Sequence, residues 1–329
     1  MTLIAPTLQA FFTDRLAQQR NASPHTVVAY RRTFCLLLEF LQERSGKPAS
    51  KLDFADLNAT VVVAFLRHLE DERGNSIRSR NARLAAIHSF FRFAATRHPE
   101  HADDIQRVLA IPHKRTRRAD IMHLDHREIV CLLAAPDRST WHGRRDHALL
   151  LLAIQTGLRL AELTGLKVED IHLGGGAHVR CQGKGRKDRC TPLNTQTVAV
   201  LKAWMRERDG KRNEPLFPTR RGASLSPDAV ERLVAEHAKN AAVSCPSLYG
   251  KKVTPHVLRH TNAMQLLQGG VDTATIALWL GHERIQTTDI YLHADMSMKE
   301  KALARLTPLS SVPRRYRPPD ALMRFLAGS

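Results

Sequence analysis

Apolar positions recur at helical spacing through the first third of the chain. Leu8, Phe11, Phe12 and Leu16 share one face of a helix spanning Leu8 to Arg20. Ser23-Pro24 pairs an N-cap with a proline at the first helical position, which predicts a helix from Pro24 to about Arg44. Its apolar face is Val27, Tyr30, Phe34, Leu37, Leu38 and Leu41, and Ser45-Gly46-Lys47-Pro48 stops it. A third helix is expected from about Ala59 to Glu72, closed by Gly74-Asn75, and a fourth from Ser76 to about Arg97. Arg78, Arg80 and Arg83 crowd the start of the fourth, so residues 1–110 read as a compact four-helix unit with one cationic side.

Residues 111–120 are basic and proline-marked, and they lack apolar periodicity; they read as a linker whose Lys and Arg side chains can track a phosphate backbone. Beyond Ile121, helices are expected at His126–Ala135, Arg144–Gly157 and Leu160–Gly165. Then comes a strand pair, Ala177–Cys181 and Asp188–Pro192, around the turn Gly183-Lys184-Gly185-Arg186-Lys187. Further helices are expected over Thr195–Asp209, Ser226–Ala242, Leu258–Gln268, Asp272–Gly281 and Thr287–Leu306. Residues 121–306 therefore form a second, mainly α domain with a small antiparallel β element. Residues 307–329 are a tail with Pro318-Pro319 and a short amphipathic stretch, Ala321 to Leu326.

Charge changes the picture more than composition does. At 329 residues with 43% apolar content, the chain is long enough for two ordinary globular cores. A net charge of +18 is self-repulsive, and an anionic polymer partner is the usual reason to keep it. The longest apolar run, Ala148 to Ile154, falls far short of the ~20 residues a spanning helix needs, so nucleic acid outranks a membrane. The N-terminus lacks the features of a signal peptide, which suggests a cytoplasmic protein. Cys35, Cys131, Cys181, Cys190 and Cys245 include no Cys-x-x-Cys pair, and none of the 17 histidines falls in a His-Glu-x-x-His motif. Neither a metal site nor a disulfide framework is expected.

Four short segments of the second domain carry candidate chemistry. Arg159 follows Thr156-Gly157-Leu158 at a helix start, with Glu162 on the same helical face. Lys184 sits in the glycine-flanked turn, which does not match the Gly-x-x-x-x-Gly-Lys-Ser/Thr phosphate loop. His256 and Arg259 share a face after the helix-starting Thr254-Pro255, with His260 one step round. His282 follows Gly281, and Tyr291 lies nine residues on. Singly these read as a surface ion pair, a basic hairpin, a capped helix, a C-capping turn and a half-buried aromatic. Jointly they form the kit for attacking a phosphodiester: paired guanidiniums for the non-bridging oxygens, a base, an acid and a hydroxyl nucleophile. Tyr30 lies on a core face, Tyr249 precedes the His-x-x-Arg segment and Tyr316 sits in the basic tail, so only Tyr291 has this context.

Over essentially its whole length the chain resembles the tyrosine recombinase (phage integrase) family, most specifically across Thr156–Glu162, Gly183–Lys187, His256–Thr261 and Leu280–Tyr291. The first domain resembles the family's SAM-like core-binding domain. The resemblance implies a site-specific recombinase that cuts and rejoins double-stranded DNA without cofactor or metal. Arg159 and Arg259 would clamp the scissile phosphate and His282 would add a hydrogen bond. His256 would take the phenol proton, Lys184 would protonate the leaving 5′ oxygen, and Tyr291 would form a 3′-phosphotyrosyl link. Glu162 and His260 would orient these groups. A homo-tetramer in the DNA synapse is implied, with the C-terminal tail docking in cis or in trans. Compatible settings are dimer resolution, phage integration and mobile-element transposition. The rivals are a type IB topoisomerase and a DNA-binding protein without catalysis.

Overall fold

The computed structural model describes residues 2–116, 121–182 and 188–281. Two compact units divide the chain, Met1–Ala119 and Asp120–Ser329.

The first unit is helical. Helix α1 (Ile4–Ala10) starts earlier than the apolar pattern suggests, with Pro6 in its first turn, where a missing N–H costs little. From Phe11 to Gln19 the helix widens, and Arg20 bonds five residues back to the Arg15 carbonyl at 3.0 Å. That winding brings Phe11 and Leu16, five apart, into the core together. Helices α2 (Pro24–Ser45), α3 (Ala59–Asp71) and α4 (Ile77–Ala94) follow, capped by Ser23, Asn58 and Ser76. Helix α5 (Ala102–Leu109) was not anticipated; its eight residues bury only Ile105 and Val108, too little for a periodic signal. The core is rich in phenylalanine, with Phe11, Phe34 and Phe90 meeting mostly edge-to-face at 5.3–6.2 Å.

The first half of the basic stretch is tied down. Arg80 donates to the Pro112 carbonyl at 3.1 Å and Asn81 to the Lys114 carbonyl at 2.8 Å, while the Lys114 ammonium meets Glu70 at 2.8 Å. The segment starts as a strap on α3 and α4 because Ile111 is buried and pulls its neighbours onto the unit.

The second unit is built around α7. Helices α6 (His126–Ala134) and α7 (Trp141–Thr156) come first, and α7 buries residues on every side, as a central helix must. It packs against α9 and α11. Helix α8 (Leu160–Gly165) precedes a three-stranded antiparallel sheet, β1 (Ile171–His172), β2 (His178–Gln182) and β3 (Asp188–Pro192), in the order β1-β2-β3. The two-residue β1 was not anticipated; its pairing of Ile171 with Val179 is too short to leave an alternating pattern. Helices α9 (Thr195–Arg208), α10 (Pro227–Ala242), α11 (Pro255–Gln268) and α12 (Thr273–Leu280) complete the described part. The expected helix over Thr287–Leu306 and the tail lie outside the described residues.

Candidate active site

Helix ends set the site. Gly157 closes α7 with φ +62°, a conformation that favours glycine. The chain then runs extended through Arg159, the residue that caps α8. The carboxylate of Glu162, three residues into the helix, accepts the Arg159 backbone N–H at 2.7 Å and its Nη1 at 2.9 Å. Thr254 caps α11 and Pro255 occupies its first turn, which puts His256, Arg259 and His260 on the opening turns. Helix α12 ends at Leu280, and Gly281 leaves it in the left-handed conformation with φ +65°.

Both arginines terminate helices as well as facing the cleft. Arg259, buried to 4% exposure, donates Nη1 to the Gly157 carbonyl at 2.6 Å and Nη2 to the Leu280 carbonyl at 2.7 Å. Arg159 donates Nη2 to the Gly281 carbonyl at 2.7 Å. The last carbonyls of a helix lack intrahelical partners, and a guanidinium satisfies them with charge-assisted bonds. The ends of α7 and α12 are thereby pinned to the guanidiniums they position. Asn262 adds a bond to the Gln155 carbonyl at 2.8 Å.

A third guanidinium joins them. Arg189, opposite Cys181 in the β2–β3 register, donates Nη1 and Nη2 to the two oxygens of Glu162 at 3.1 and 2.8 Å. Arg159 and Arg189 thus meet at one buried carboxylate, Glu162, and the three groups keep an excess of positive charge. Beside it the Cys181 thiol is pushed up to about 11, chiefly by burial, so it stays protonated at neutral pH.

An open cleft of about 590 Å³ lies over this cluster, with Arg159, His256, Arg259, Glu231 and Lys252 on its wall. His256 is exposed, and its ring meets that of His260 edge-to-face at 4.2 Å. Burial first, then the neighbouring His256 and Arg259, lowers the His260 pKa to about 4, so His260 is neutral at physiological pH. A groove of about 680 Å³ in the first unit, bordered by Phe40, Arg44 and Glu72, is larger, but it lacks such a convergent set of cations.

Of the residues singled out in the sequence, Arg159, His256 and Arg259 come together on one cleft, with Glu162 and His260 beside them. Lys184, His282 and Tyr291 lie outside the described residues. Arg189 was missed. Its one sequence signal is parity: on β3, positions 189 and 191 are less exposed than Cys190, so an arginine sits on the inward side of a strand. Among the described residues no three His, Cys, Asp or Glu side chains gather as a metal site, and no helix is long and apolar enough to cross a membrane.

Two family models match the chain: "Phage integrase family" over residues 122–298 and "Phage integrase, N-terminal SAM-like domain" over residues 10–98. The chain is 55% identical over 323 residues to a Sinorhizobium fredii protein named "Putative integrase/recombinase y4rC", covering 98% of this chain and 97% of that one. It is 33% identical to "Tyrosine recombinase XerC" of Pelobacter propionicus, covering 92% of this chain and 95% of that one. In fold it resembles the crystal structure of the XerH site-specific recombinase bound to its difH substrate before cleavage, with a TM-score of 0.66, 23% identity, and coverage of 87% of this chain and 80% of that one.

Proposed function

We propose, from the premise that the chain belongs to the phage integrase family of tyrosine recombinases, a phosphoryl-transfer mechanism for the cleft over Arg159, His256 and Arg259. The protein is a site-specific DNA recombinase, and its substrate is double-stranded DNA. The observation that carries the mechanism is the convergence of Arg159 and Arg259 on one cleft, each held by the carbonyls that end α7 or α12.

In this reading Arg159 and Arg259 receive the non-bridging oxygens of the scissile phosphate, whose charge grows as attack proceeds. Tyr291 supplies the nucleophile. Its phenol oxygen bonds to phosphorus, its proton passes to His256, and the bond from phosphorus to the 5′ oxygen breaks. Lys184 protonates that oxygen, and His282 donates a further hydrogen bond to the phosphate. The 3′-phosphotyrosyl link conserves one phosphodiester, so a 5′ hydroxyl from a partner strand reverses the step without ATP. Neutral His260 adds no positive charge beside His256.

Residues 1–110 act as the core-binding domain, 111–120 as a basic linker, 121–306 as the catalytic domain and 307–329 as a tail that docks on a neighbouring protomer. Four protomers assemble on two duplexes in the cytoplasm. The test uses a nicked duplex carrying the site recovered from DNA that the wild-type protein binds. Wild type traps a covalent adduct on it; Tyr291→Phe binds equally and traps none. Adduct formation by Tyr291→Phe, or its absence with the wild-type protein, refutes the mechanism.

A further inference from the structure

Arg189 has no part in that mechanism, yet it is built into the site. It is the second residue of β3, the strand that follows Lys184 in the sequence. Its fork faces Glu162 end-on, one Nη to each oxygen, at 3.1 and 2.8 Å. The Glu162 side chain is 5% exposed and the Arg189 side chain 11%, so water screens their interaction weakly. The same carboxylate accepts Nη1 and the backbone N–H of Arg159. Two guanidiniums therefore share one carboxylate. Glu162 cannot turn both oxygens to the Arg159 fork while Arg189 occupies them, and Arg159 keeps Nη2 for the Gly281 carbonyl.

Arg189 also lies against Gly281. A Cβ added there would fall 2.5 Å from Arg189 Nη1 and 3.2 Å from its Cδ. Glycine at 281 thus serves two needs, the left-handed backbone and the close passage of this side chain. Arg189 Nε is buried with no hydrogen-bond partner among the described residues. An arginine held there at the expense of a stranded donor is poorly explained by stability alone.

We propose that Arg189 is a positioning residue for DNA cleavage: by holding Glu162 it prevents full neutralisation of Arg159 and keeps that arginine turned toward the scissile phosphate. This rests on the recombinase mechanism above. Without Arg189 the Arg159–Glu162 pair is neutral overall and attracts the phosphate less; with it the triad is cationic.

The experiment separates charge from latching. Arg189→Gln and Arg189→Lys each retain a donor toward Glu162, but only lysine retains charge. Single-turnover cleavage of the nicked duplex, DNA binding and urea midpoints are measured for both, and for Arg189→Gln combined with Glu162→Gln. Arg189→Gln should cleave about 10- to 100-fold more slowly with unchanged binding, on the scale of losing one preorganised charge. Arg189→Lys should stay within about 5-fold of wild type, because the point charge survives though the fork does not. Adding Glu162→Gln to Arg189→Gln should raise the rate again, since Arg159 is then no longer neutralised. Equal losses in the lysine and glutamine variants, no loss in either, or a further slowing in the double variant overturns the proposal while leaving the recombinase mechanism standing. Failure of the wild-type protein to cleave overturns both.

Discussion

Arg259→Ala and Arg159→Ala should lower cleavage alike but separate in stability. Arg259 is 4% exposed and donates to two carbonyls, Gly157 at 2.6 Å and Leu280 at 2.7 Å. Removing it strands both acceptors in the interior, at about 1–3 kcal/mol each. Relief of the guanidinium's own desolvation acts the other way, which leaves a net loss of about 2–4 kcal/mol. The Arg159 side chain is 32% exposed, and Glu162 keeps its bonds to Arg189 when Arg159 is gone. Its stability loss should be about 0.5–1.5 kcal/mol, the scale of one ordinary hydrogen bond. Each variant should cleave ~100-fold more slowly, or about 2.7 kcal/mol at the transition state. Urea unfolding measures the first quantity, and an unchanged slope would show that the native and unfolded states stay comparable. Cleavage of the nicked duplex, well below either midpoint, measures the second. Coincident midpoints for the two variants would refute the reasoning, because they would mean that the carbonyl bonds of Arg259 do not hold the ends of α7 and α12.

Gly157→Ala should cost about 2–5 kcal/mol, combining left-handed backbone strain with overpacking, because its Cβ would fall 2.6 Å from Leu280 Cδ2 and 2.7 Å from Asn262 Oδ1. Gly46→Ala, at φ +67° with nothing within 4 Å, should cost only about 1–2 kcal/mol of strain, and equal melting shifts would contradict this. The folded pKa of His260 is lowered from 6.5 to about 4, so its contribution to stability is complete above pH 6.5. That contribution is lost as pH falls toward 4, where the unfolded chain takes a proton the native one refuses. Burial lowers His88 and His147 in the same direction, so the loss should shrink in His260→Asn without vanishing. A flat urea midpoint between pH 7.5 and 4.5 would exclude it. Lys184→Ala should be slow on ordinary DNA and near wild type on a substrate with a 5′-bridging sulfur, whose leaving group needs no proton; equal impairment on both would remove Lys184 from that role.

Much of the architecture was legible because its causes are local. Ser23-Pro24, Ser226-Pro227 and Thr254-Pro255 announce helix starts through caps and a fixed φ, and the helices stand there. Gly46 and Gly157 close α2 and α7 because only glycine adopts φ near +65° at little cost. Helix α5 and strand β1 escaped because two buried residues in the helix and one in the strand make no period. The triplet Arg159, His256 and Arg259 was recognisable from neighbouring residues at short spacing, each segment being local.

The sequence by itself singled out Arg159, His256 and Arg259 as candidates for the chemistry and predicted the helix starts they lie on. The tertiary structure alone decided what the arginines rest on. Arg259 reaches Gly157 across 102 residues and Leu280 across 21, and Arg159 reaches Gly281 across 122. Arg189 meets Glu162 from a strand 27 residues away. These partners are backbone carbonyls or a carboxylate already spoken for by a nearer arginine. A carbonyl carries no side-chain signature, and a shared carboxylate looks complete with one partner. Only the packing of α7, α11, α12 and the sheet brings the acceptors within bonding distance, and that packing sets both the direction of each guanidinium and the charge left over for DNA.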